Sequence, residues 1–151
     1  DVPHAFTAKL SLHPDYTERG FRQFEIKPLE GEASFWVSSD DMDFLKTGEV
    51  IRFMGLFNIQ VEKVEGHWIA AVFHSESYEE AKKTNAPLIH WIPIGADMPC
   101  EVVMPDASVV EGIAEGNCKS LHINDVIQFE RFGFTRVDKL NKKLTAYFAH
   151  R

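Results

Sequence analysis

Asp125-Val-Ile-Gln-Phe-Glu-Arg-Phe-Gly-Phe-Thr-Arg-Val-Asp138 alternates apolar and polar side chains on either side of a Phe-Gly pair, the pattern of a β-hairpin with one buried face. Gln128 and Arg131 interrupt the hydrophobic alternation beside Phe129, Phe132 and Phe134. Planar hydrogen-bonding groups next to aromatic faces suit an unpaired nucleobase, which offers an edge to pair with and a face to stack on.

The same period of two runs outward from this hairpin. Phe6, Ala8, Leu10 and Leu12 alternate with polar or small neighbours, and similar runs occupy 22–26, 33–38, 50–54 and 56–64. Glu65-Gly66 is expected to turn the last of these into a strand over 67–74. Further strands are expected over 88–92, 100–104, 108–114, 126–131, 133–138 and 144–150. Only two helical signals interrupt them. Ser38-Ser-Asp-Asp41 resembles a capping box and opens a short helix through Leu45 that Gly48 ends, and 75–83 carries Glu and Lys at helical spacing before Asn85-Ala-Pro87. Short strands punctuated by Gly and Pro predict an all-β protein of barrels or sandwiches with one or two short helices. Asn85-Ala-Pro87 is the best boundary, giving a first part over 1–87 and a second over 88–151.

The 151 residues are 44% hydrophobic, with twelve Phe and three Trp, enough for one ordinary core or two small barrels. No apolar run approaches the ~20 residues of a membrane helix, so a soluble protein that makes no use of the membrane is expected. Asp1-Val-Pro-His4 has neither the basic nor the apolar region of a signal peptide, and without an initiator Met it fits a fragment of a longer chain. Cys100 and Cys118 form no Cys-x-x-Cys pair, and free thiols in a cytoplasmic protein are expected. The net charge of −7 argues against a general nucleic-acid binder. From Lys119 onward, however, seven basic residues stand against three acidic ones, so this tail carries +4 and the remainder −11. A basic face on an acidic body would hold one RNA while repelling others; a solvated hairpin with ordinary surface lysines fits the same charges.

Enzymatic constellations are missing from the sequence. None of the seven histidines forms a His-x-x-x-His or His-Glu-x-x-His pair, and His67 and His74 are an odd number of positions apart, on opposite faces of a strand. Gly-x-Ser-x-Gly does not occur, nor does a Gly-rich phosphate loop. Phe35, Trp36, Phe53, Phe57, Trp68 and Phe73 are expected in the core, while Trp91 in Leu88-Ile-His-Trp-Ile-Pro93 fits either packing or stacking.

Four segments, in family order, resemble the anticodon-binding region of the archaeal and eukaryotic-type glutamyl-tRNA synthetases and the related glutaminyl enzymes. They are His13-Pro-Asp-Tyr-Thr-Glu-Arg-Gly-Phe-Arg22, Gly48-Glu-Val-Ile-Arg-Phe-Met-Gly-Leu-Phe-Asn-Ile59, Ile89-His-Trp-Ile92 and the hairpin at Gln128-Phe-Glu-Arg131. The resemblance implies two β-barrels stacked end to end, related to the fold of ribosomal protein L25, that bind the anticodon arm of tRNA-Glu with its bases unstacked. It implies no catalytic residue, cofactor or metal on this chain. ATP and magnesium belong to the full-length enzyme, whose own catalytic domain is the expected partner besides tRNA; DNA is not an expected partner. Gln128 and Arg131 fall on family positions that contact anticodon nucleotides, and Arg22 falls on an arginine that faces the anticodon arm. Arg52 and Asn58 match family positions too, with strand packing as the competing explanation. Val103-Met-Pro-Asp106 stands where the glutaminyl enzymes carry an arginine-bearing segment, which favours the glutamyl branch. A stand-alone L25-like RNA-binding protein, the same region of a glutaminyl enzyme, an interaction barrel without RNA and a stand-alone enzyme are the alternatives.

Overall fold

A computed structural model describes residues 2–13 and 15–151. Thirteen strands and one short α-helix make up the described elements, together with three 3-10 turns. The chain is all-β, and it divides into two compact units, Asp1–Pro93 and Ile94–Arg151.

In the first unit, β1 (Phe6–Ser11) pairs antiparallel with β2 (Phe21–Ile26), and β3 (Phe35–Val37) pairs with β8 (Trp91–Pro93). A four-stranded sheet has the order β6-β5-β4-β7, from β4 (Val50–Phe53), β5 (Asn58–Glu65), β6 (Trp68–Ser75) and β7 (Leu88–Ile89). All three sheets turn their apolar parity onto one core that includes Ala8, Phe24, Ile51, Phe57, Val61 and Ile89. The aromatic rings of Phe24, Phe35, Phe53 and Phe57 cluster there with Trp91. Trp91 is buried, and its indole N–H donates to the Met54 carbonyl at 2.9 Å, so this residue packs rather than stacks on a ligand. Trp36 and Trp68 depart from expectation. Phe35 and Val37 take the inward parity of β3 and leave Trp36 facing out, and Trp68 closes the β5–β6 hairpin opposite Glu65.

The turn of that hairpin is Gly66-His67, one residue later than expected, with Gly66 at φ 59. The helix α1 (Tyr78–Lys83) starts at Ser77, whose hydroxyl accepts from the Glu80 N–H, and Asn85 leaves it at φ 52. Its acidic first turn and basic last turn suit the helix dipole. The helix expected over 38–45 is only a 3-10 turn, Ser39–Asp41. Leu88–Ile89 then pairs with β4 and Trp91–Pro93 with β3, which carries the first unit to Pro93, beyond the Pro87–Leu88 boundary expected from sequence.

The second unit is one five-stranded sheet in the order β10-β9-β13-β12-β11. Its members are β9 (Asp97–Val103), β10 (Val109–Glu115), β11 (Val126–Phe129), β12 (Gly133–Leu140) and β13 (Leu144–His150). Three neighbouring pairs are antiparallel, whereas β13 runs parallel to β9 and sits between the two hairpins. Met98, Cys100, Val102, Ala114, Val137 and Leu144 form the buried centre of its core. Burial pushes the Cys100 thiol up to about 11, with the Glu101 carboxylate adding to the shift, and Cys118 is only half-buried. The thiolate is the nucleophile in alkylation. Iodoacetamide at neutral pH is therefore expected to modify Cys118 before unfolding and Cys100 only after it, which peptide mass spectrometry would resolve.

Candidate nucleic-acid interface

The hairpin β11–β12 is closed by the pair Phe129–Gly133, with Glu130, Arg131 and Phe132 as its loop. The Phe132 N–H donates to the Phe129 carbonyl at 3.0 Å, and Arg131 takes φ 66. A non-glycine residue at positive φ costs backbone energy and marks a held position. Gly133 lets β13 come close: a Cβ there would stand 2.6 Å from Phe148 Cε2 and 2.9 Å from the His150 carbonyl oxygen. The loop is thus anchored from below, with the Arg131 side chain exposed at its tip and Gln128 exposed on the adjoining strand.

Phe129, Phe132 and Phe134 do not act as one surface. Phe129 and Phe132 pack edge to face and join the core, with Phe132 also edge-on to Phe148. Phe134 has the opposite parity and pairs with Gln128 across the hairpin. Its ring stacks on His150 with centroids 4.7 Å apart. A bulge between Phe134 and Thr135 brings His150, and not Ala149, opposite Phe134.

Arg22 lies in the other unit, on β2, half-buried, and its Nη1 donates to the Ser11 carbonyl at 3.1 Å. The guanidinium ties the end of β1, where the chain leaves for the 12–20 loop; Pro14 of that loop lies outside the described residues. Arg52 and Asn58 are interior. Arg52 Nη1 donates to Asn58 Oδ1 (3.2 Å) and to the Glu76 carbonyl (2.6 Å), and Asn58 Nδ2 donates to Ser75 Oγ and the Ser77 carbonyl (both 2.8 Å). This network fastens the start of α1 to β4, β5 and β6. Burial lowers the Arg52 pKa from its ordinary value, opposed by the nearby Glu79 and Tyr78.

The basic tail is partly compensated. Lys143 and Thr145 both donate to the Glu101 carboxylate, which these hydrogen bonds hold below the usual carboxylate range. Arg136 donates from Nη1 to Asn124 Oδ1 at 2.7 Å and lies 5.9 Å from the centre of the Tyr147 ring. Arg136, Tyr147, His150 and Asn124 were not singled out from sequence. The first could have been found, because Arg136 shares the outward parity of Phe134.

Residues 1–76 and 88–138 each match the family described as tRNA synthetases class I (E and Q), anti-codon binding domain. The chain belongs to that family. It is 41% identical over 150 residues to the glutamate–tRNA ligase of Pyrococcus abyssi, covering 97% of this chain and 25% of that protein. The glutamate–tRNA ligase of Methanococcus maripaludis is 41% identical over 143 residues (94% of this chain, 24% of the relative), and that of Methanocaldococcus jannaschii 40% over 144 (95% and 24%). The chain spans about a quarter of the length of these relatives. Gln128, Arg131 and Arg22 all lie inside the matched segments of the anticodon-binding family. Among the described residues no group of three or more His, Cys, Asp or Glu is arranged to hold a metal ion, and no helix is long and apolar enough to cross a membrane.

Proposed function

We propose that this chain is the part of a cytoplasmic glutamate–tRNA ligase that reads the anticodon of tRNA-Glu, with Gln128 and Arg131 as the reading residues. The observation that carries it is their joint exposure at one anchored hairpin within the matched segment 88–138. A Gln amide both donates to and accepts from a base edge, and an Arg fork grips a base edge or a phosphate. Holding Arg131 at positive φ reduces the disorder that binding would have to remove. Arg22 contributes from the first unit by fixing the end of β1 and presenting its charge toward the anticodon arm. The names of the relatives favour the glutamyl over the glutaminyl branch. Ligation with ATP and magnesium is assigned to the rest of such an enzyme, since this chain spans about a quarter of its relatives' length.

Unstacking anticodon bases costs energy that stacking on protein faces returns at ~1–3 kcal/mol per base. A specific base contact is worth about as much. Binding of unmodified tRNA-Glu and of the same tRNA with its middle anticodon base changed, at fixed low salt, tests the reading. The native anticodon is expected to bind tighter, and Gln128→Ala or Arg131→Ala to weaken it by about 30-fold, in the middle of that range. Equal binding of the two tRNAs by the unaltered chain would remove the anticodon-reading role.

A further inference from the structure

The outward face of the second unit's sheet carries two parallel rows of side chains. Cross-strand register places Gln128, Phe134 and His150 in one row and Val126, Arg136 and Tyr147 in the next. The opposite parity, Ile127, Thr135, Val137 and Ala146, faces the protein interior. A solvated sheet face is ordinarily polar. Here Val126 is 64% exposed and Tyr147 42% exposed, and each row holds an aromatic ring beside a nitrogen-bearing side chain.

We propose that Arg136 and Tyr147 form a second nucleotide seat next to Gln128, in which an unpaired RNA base stacks on the Tyr147 ring and Arg136 takes the adjoining phosphate. The inference rests on the RNA binding at this hairpin that the role proposed above requires. Residues two apart on a strand are separated by about 6.7 Å, roughly one sugar–phosphate unit of an extended RNA strand, so consecutive bases meet consecutive rows. Sheet surfaces with aromatic rings in neighbouring positions bind single-stranded RNA in this manner.

The second seat is built rather than incidental. Asn124, at φ 76, is fixed to β12 by its N–H on the Val137 carbonyl (2.8 Å) and by the Val137 N–H on the Asp125 carbonyl (2.8 Å). From there it holds Arg136 through one N–H, while the guanidinium carries more donors than one amide oxygen takes up. The guanidinium lies over the Tyr147 ring at 5.9 Å, the outer limit of a cation–π contact, a weak hold that a stacking base can displace. Glu101, which pairs with Thr145 across the sheet, is held by Lys143 and Thr145 and so opposes a phosphate less.

The test measures binding of unmodified tRNA-Glu and its middle-base variant to the chain and to Tyr147→Ala, Tyr147→Phe, Arg136→Gln and Gln128→Ala, each at several salt concentrations. Tyr147→Ala is expected to weaken both tRNAs by roughly 10-fold, the loss of one stacked base. Tyr147→Phe, which keeps the ring, is expected to bind as the unaltered chain does. Arg136→Gln is expected to reduce the slope of log affinity on log salt by about 0.7, one single-strand phosphate contact. Unchanged affinity and slope in Tyr147→Ala and Arg136→Gln, while Gln128→Ala loses discrimination, would overturn the second seat and leave the anticodon role standing. Failure of the unaltered chain to bind either tRNA would overturn both. Equal binding of both tRNAs together with the Tyr147→Ala loss would sustain the seat and reject anticodon reading.

Discussion

Replacing Gly133 by alanine is expected to destabilise the second unit by about 4 kcal/mol, from strain and overpacking together. Gly133 stands at φ 151, where side-chain-bearing residues are strained, and its Cβ position is occupied by the Phe148 ring and the His150 carbonyl oxygen. The ring can swing away; the backbone oxygen moves only with β13. Relief therefore separates β13 from β12 and breaks the Phe134–His150 stack at the same time. Since Trp36, Trp68 and Trp91 all lie in the first unit, tryptophan fluorescence would not report the loss. Urea unfolding followed by NMR signals of Val137 and Leu144 would. A midpoint equal to that of the unaltered chain would show that the close approach at Gly133 is not what holds the hairpin.

Arg52→Ala is expected to cost the first unit about 3–4 kcal/mol, because it removes a buried charged donor and leaves Asn58 Oδ1 and the Glu76 carbonyl without it. The substitution also separates two roles that look alike in sequence. An arginine that grips RNA would lose affinity at constant stability. One that braces α1 against the sheet loses stability, and the folded protein retains its affinity for tRNA-Glu. Thermal unfolding by tryptophan fluorescence, paired with tRNA binding well below the transition, would tell them apart. A large loss of affinity without a shift in midpoint would reassign Arg52 to the interface. Both observed partners of its Nη1 are interior groups, which favours the brace.

The strands were legible because each unit buries one face of short, strictly alternating segments. Phe6–Ser11, Val50–Phe53 and Leu144–His150 all fall within a residue of where their side-chain period puts them. What depends on pairing between distant segments was not legible. Leu88–Ile89 is too short to announce a partner, yet its bonds to β4 draw the end of the first unit to Pro93. The capping residues at Ser38 were real, since its hydroxyl accepts from the Asp40 N–H, but Met42 and Leu45 pack into the core and no helix continues. Of the candidate site, exposure of Gln128 and Arg131 followed from their breaking the apolar pattern. Phe129 and Phe132 were misread as ligand faces because the loop offsets the parity that Phe134 keeps. His150 joined the surface only through a bulge, a local slip in register that one strand's sequence does not encode by itself.

The position of β13 in the middle of its sheet has a consequence for how the protein is made. In chain order it follows both hairpins, and among the described strands it alone joins the β9–β10 hairpin to the β11–β12 hairpin. A ribosome delivers both hairpins before the strand that unites them, and their long-range joining carries the loop-closure entropy that delays folding. Until Leu144–His150 has emerged, Phe134 has no His150 beneath which to stack and Arg136 no Tyr147 to lie beside. A nascent chain therefore carries Gln128 and Arg131 on a hairpin that still lacks the neighbouring strand, and the two rows of the sheet face form only once Leu144–His150 has joined them.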